Sequence, residues 1–114
     1  MGTMGPRIFD NDAALDMLDS VARVPLAEIE AFLASNQVGP EDIDAVAACV
    51  AIHIALVHEC GATRPTLEFV DRLRHKLMQL FDQEYDKLSP SPEFKRERHE
   101  VLATALNRYR ELAA

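Results

Sequence analysis

The chain has 114 residues, 48% of them hydrophobic, and a net charge of −7. That length suits a single domain spanning 1–114 with a core of its own, and that composition excludes a disordered chain. The acidic balance excludes direct nucleic-acid binding, which needs a basic face.

The charge is unevenly placed. Residues 1–60 hold ten acids and only Arg7 and Arg23 as bases, whereas residues 61–114 are nearly balanced. The two cysteines and the absence of an apolar leader stretch point to a reducing cytosol.

The opening MGTMGPRIF contains two glycines and a proline and reads as an irregular segment, with Met4, Ile8 and Phe9 seeking burial. Pro6 stands where a myristoylation signal wants Ser or Thr. Asp10, Asn11 or Asp12 can cap a first helix running to about Ala22, and Phe9 can staple onto Ala14 or Leu15. Pro25 opens a second, short helix to about Ser35, striped by Leu26, Ile29, Phe32 and Leu33.

The stretch Pro40 to Cys60, PEDIDAVAACVAIHIALVHEC, reads as the central helix. Gly39 suits its N-cap, Pro40 its first position and Gly61 the left-handed residue beyond its end. The uncharged run Ala45 to Val57 is too short to span a bilayer, which needs roughly 20 apolar residues. Thr66 is placed to cap a fourth helix ending near Leu88, with Lys76 on its outer side. Ser91 caps a fifth that starts at Pro92. On that helix Lys95, Arg96 and Arg98 alternate with Glu93, Glu97 and Glu100, a pattern of local ion pairs on a solvated face. The fold class is therefore all-α, a compact bundle of about five helices around a central apolar helix. Short connections imply antiparallel neighbours. The fourth and fifth helices should cover the central one, and the two N-terminal helices the remaining side.

The residues Met1, Gly2, Gly5, Phe9, Asn11, Asp12, Ala14 and Asp16 form a pattern, MGxxGxxxFxNDxAxD. It resembles the opening of the bacterial family called domain of unknown function 4259. Met4 and Met17 depart from it, standing where that family has Trp and usually an aromatic residue. The resemblance implies an all-helical fold and a bacterial origin, and it implies no activity. The glycines suggest a structural lock: the N-terminal amine, or the backbone N–H groups of Gly2 to Gly5, docking onto Asp12 or Asp16.

Candidate chemistry is sparse. Asp10, Asp12, Asp16 and Asp19 supply too few oxygens for calcium, which takes six or more, and they serve readily as cap and first-turn charge. Cys49 and His53, one turn apart, could begin a zinc site, but four ligands are normal and Cys60 lies about 10 Å further along the axis. Buried thiols and a hydrogen-bonded core histidine are the simpler reading. No phosphate loop, dinucleotide fingerprint or zinc-protease pattern occurs.

The expectation is accordingly a cytoplasmic, non-enzymatic binding module without cofactor, metal or membrane anchor. Its partner would be a protein with a basic surface, in the narrowest form a toxin held by an immunity-type inhibitor through Asp16, Asp19, Glu28, Glu30, Asp42 and Asp44. Two alternatives come from other classes. One is a metal- or thiol-dependent enzyme at Cys49 and His53. The other is a self-associating structural protein that uses Ala48, Ala51 and Ala55 as a helix seam.

Overall fold

A computed structural model describes residues 7–114. They fold into four α-helices, α1 (Asp12–Ala34), α2 (Asp42–Cys60), α3 (Leu67–Glu84) and α4 (Pro92–Leu112), with a 3₁₀ turn at Tyr85–Leu88 after α3. The all-α expectation holds. The proposed docking of the N-terminal amine, Gly2 and Gly5 falls outside the described residues.

The helix ends follow local chemistry. Asn11 is the N-cap of α1, its side chain accepting from the Ala14 amide at 2.9 Å. Thr66 and Ser91 do the same for the Phe69 and Phe94 amides. α2 begins at Asp42, two residues after the expected start at Pro40, and the Gly39 amide donates to the Asp42 carboxylate at 2.8 Å across the turn that leads into it. Gly61 ends α2 at φ 77°, and the amides of Gly61 and Ala62 return to the carbonyls of Val57 and Leu56. A side chain at that left-handed position would be strained.

The helix count is four rather than five, because Pro25 lies inside α1 instead of opening a helix. Proline lacks the N–H that would bond the Val21 carbonyl, at a cost of about 3 kcal/mol in a helix interior. Here Pro25 is buried in register with Leu18, Ala22, Ile29 and Phe32, and packing of this continuous stripe overrides the break. Ile8, expected to be buried, is instead 80% exposed. Phe9 packs against a small cluster of Leu18, Ala22, Val57 and Ala62.

Neighbouring helices are not all antiparallel. Leu18 and Ala22 meet Val57, while Phe32 and Val46 share a groove, so α1 and α2 run in opposite directions. Asp71 pairs with Arg110 and Phe81 meets His99, so α3 and α4 also oppose. Asp44 contacts Arg98 and His53 contacts Tyr109, so α2 and α4 run together. The fold is thus two helical hairpins laid side by side, with α2 on α4 and α1 on α3. The central helix packs most on α1 and least on α3, its sequence neighbour. Between the hairpins lies the main core, including Ile29, Ile43, Val50, Leu73, Leu77, Leu102 and Leu106, all at most 1% exposed. Each such side chain contributes about 1.5–3 kcal/mol of burial.

Lys76 is also displaced from expectation. It turns inward, and its ammonium donates to the carbonyls of Phe32 (2.5 Å), Leu33 (3.2 Å) and Ser35 (2.6 Å), over the Phe32 ring. The last turn of α1 has no basic residue of its own, so a cation from α3 satisfies its orphan carbonyls and opposes its dipole.

Candidate functional site

The six acidic residues expected at a partner surface separate into three places. Asp16, Asp19 and Glu30 lie with Asp12 along one exposed side of α1, within about 60° of arc at 100° per residue. The strip runs about 27 Å from Asp12 to Glu30. Arg23 interrupts it and reaches Glu30 at 3.5 Å. Among the described residues no ion pair engages Asp12, Asp16 or Asp19. Beside the strip, Asp19, Arg23, Leu26, Glu30, Arg64 and Phe69 line a groove of about 430 Å³ towards α3.

Glu28 and Asp42 face elsewhere. They line a smaller groove of about 200 Å³ between α1 and α2, with Gln37 and Val38. Asp42 is already committed to the Gly39 amide. Asp44 belongs to a third place, because Arg98 of α4 holds it at 2.6 Å. The ion pairs of α4 are therefore partly tertiary instead of local, with Lys95 likewise reaching Asp86 at 2.9 Å.

Cys49 and His53 are not arranged as a dyad. His53 is 1% exposed and both ring nitrogens are engaged. Nε2 lies 3.0 Å from the Thr63 carbonyl, which can only accept, so Nε2 carries the proton. Nδ1 then accepts from the Tyr109 hydroxyl at 2.6 Å. Burial lowers the His53 pKa, with the Thr63 carbonyl opposing, so the ring is neutral at pH 7. Burial likewise raises Tyr109, the nearby Cys49 adding to it. The histidine is the hydrogen-bonded core residue that its place in the sequence suggests. The two cysteines are only half-buried, which corrects the expectation of buried thiols. Burial, and then the Glu28 charge, push the Cys49 thiol up, away from the reactive thiolate. Among the described residues no three His, Cys, Asp or Glu side chains gather to hold a metal ion.

One feature escaped the sequence and another was read only in part. The Tyr109 hydroxyl is paired across 56 positions, and nothing in the spacing marks it. The outer side of α2 is the other. Ala45, Ala48, Ala51, Ile52 and Ala55 are exposed, although α2 is the most apolar helix. The spacing of Ala48, Ala51 and Ala55 signals a seam, but not which helix lies beside it.

Over residues 2–113 the chain matches the family described as Domain of unknown function (DUF4259). No curated protein and no solved structure matches it.

Proposed function

The chain belongs to the DUF4259 family, and within it we propose a non-enzymatic module that binds a protein with a basic surface. The observation that carries this reading is the carboxylate strip of α1: Asp12, Asp16, Asp19 and Glu30 on one exposed side, bordering a groove. Such a strip steers a cationic partner and sets its register more than it adds raw affinity. In its narrower form the module is a bacterial, cytoplasmic, immunity-type inhibitor that covers a basic toxin or enzyme. Glu28, Asp42 and Asp44 contribute less, since two of them already serve internal contacts. An enzyme centred on Cys49 and His53 has less support, because the histidine has no free nitrogen to activate the thiol.

The test begins with capture from the native bacterium on C-terminally tagged protein, washed at low and high salt. The captured partner is then titrated against Asp16→Lys, Asp19→Lys and Glu30→Lys, singly and combined. The combined variant should weaken binding at least tenfold and flatten its salt dependence. Unchanged affinity in the combined variant would show that the strip is only a solvated surface.

A further inference from the structure

The groove between α2 and α4 lies away from the acidic strip. It encloses about 620 Å³ and is lined by Ala51, Ile54, Val101, Thr104 and Ala105 along its length, with Glu97 and Glu100 towards one end and Arg108 at the other. Val101 within it is 56% exposed, and the apolar surface extends beyond it to Ile52, 49% exposed. Only a third of α2 is buried, an unusual state for a helix so apolar. The molecule is long, 54 × 27 × 21 Å, and its radius of gyration of 16.1 Å exceeds the roughly 13 Å expected of a compact chain this size.

We propose that this groove is the interface of a homodimer in which α4 of each copy crosses its twin in the opposite direction about a twofold axis. The charges select this occupant. Among the described residues no ion pair engages Glu97, Glu100 or Arg108. Along α4, Glu97 and Arg108 are eleven residues and about 16 Å apart, with Val101, Thr104 and Ala105 between them. Reversing one α4 against another about its midpoint sets Glu97 of one copy opposite Arg108 of its partner, and the reverse, so each contact occurs twice. The apolar middles then face each other. A parallel pairing would instead place like charge on like charge. The small side chains of Ala48, Ala51 and Ala55 let the second copy approach α2 closely.

Sedimentation equilibrium of the full chain tests this, from micromolar to near-millimolar concentration. The expected result is a monomer–dimer equilibrium. Arg108→Glu should raise its dissociation constant at least tenfold, as should Glu97→Arg with Glu100→Arg. Combining all three substitutions should restore association. Helical circular dichroism checks that every variant folds. A wild-type chain that stays monomeric throughout overturns the proposal and leaves this face to another partner. So does a dimer that none of these substitutions weakens.

Discussion

The Tyr109 hydroxyl donates to Nδ1 of His53 across 2.6 Å, and this bond ties α4 of one hairpin to α2 of the other. With the Thr63 carbonyl accepting from Nε2, both nitrogens of the buried imidazole are satisfied. A buried polar group so matched adds directional specificity to a core whose other contacts are non-directional. The two rings also meet edge to face, centroids 5.5 Å apart.

Removing that hydroxyl should be costly. Tyr109→Phe keeps the ring but strands a buried acceptor, at about 1–3 kcal/mol. The midpoint of urea unfolding should fall, with an unchanged slope. A midpoint equal to wild type would mean that the bond contributes nothing net.

Stability should also depend on pH through His53. Its folded pKa is lowered by burial, whereas the unfolded chain titrates near about 6.5. Between those values the unfolded state binds more protons, so stability rises with pH. The contribution is complete above the unfolded value and is lost as pH falls through the folded one. This single group gives a slope no steeper than about 1.4 kcal/mol per pH unit. Unfolding followed from pH 7.5 to 5 should show the decline in wild type and less of it in His53→Gln; parallel curves would refute the assignment.

Lys76→Met retains the apolar stem and deletes the ammonium that serves three carbonyls of α1. Loss of about 1–3 kcal/mol is expected, from stranded acceptors and an uncompensated helix dipole. Hydrogen exchange should rise first at the C-terminal turn of α1. Uniform exchange across the helix would argue against a capping role.

Pro25→Ala should stabilise the fold. The helix regains one backbone bond, about 3 kcal/mol by propensity. Against this stand about 1.6 kcal/mol for two lost methylenes and up to about 1 kcal/mol for a freer unfolded chain. The net is a gain of about 0.4–1 kcal/mol, readable as a higher melting temperature. A lower one would show that the pyrrolidine ring packs better than its volume suggests.

Much of this fold was legible because its helix ends are chemically explicit. Asn11, Thr66, Ser91 and Gly61 each do locally what their residue type does elsewhere. Pro25 misled because a local signal opposed a continuous apolar stripe, and tertiary packing won. That error also hid the acidic strip. Without a continuous α1, the helical phase linking Asp16 and Asp19 to Glu30 is undefined, and Glu28 cannot be told from Glu30. Lys76 and Arg98 misled for another reason. A long cationic side chain reads as solvated unless its distant partner is known, and helix order in space is not written in any one segment.

The arrangement as two hairpins bears on how the molecule comes apart. Within each hairpin the helices follow one another in the chain, so their contacts close short loops and can form early. The bonds that join the hairpins span 44 positions from Lys76 to Phe32, 54 from Arg98 to Asp44 and 56 from His53 to Tyr109. They become available only once two partly formed units meet, late in folding. Weakening any of them should therefore hasten unfolding while hardly slowing folding, so these distant contacts, with the core between the hairpins, govern the lifetime of the native state.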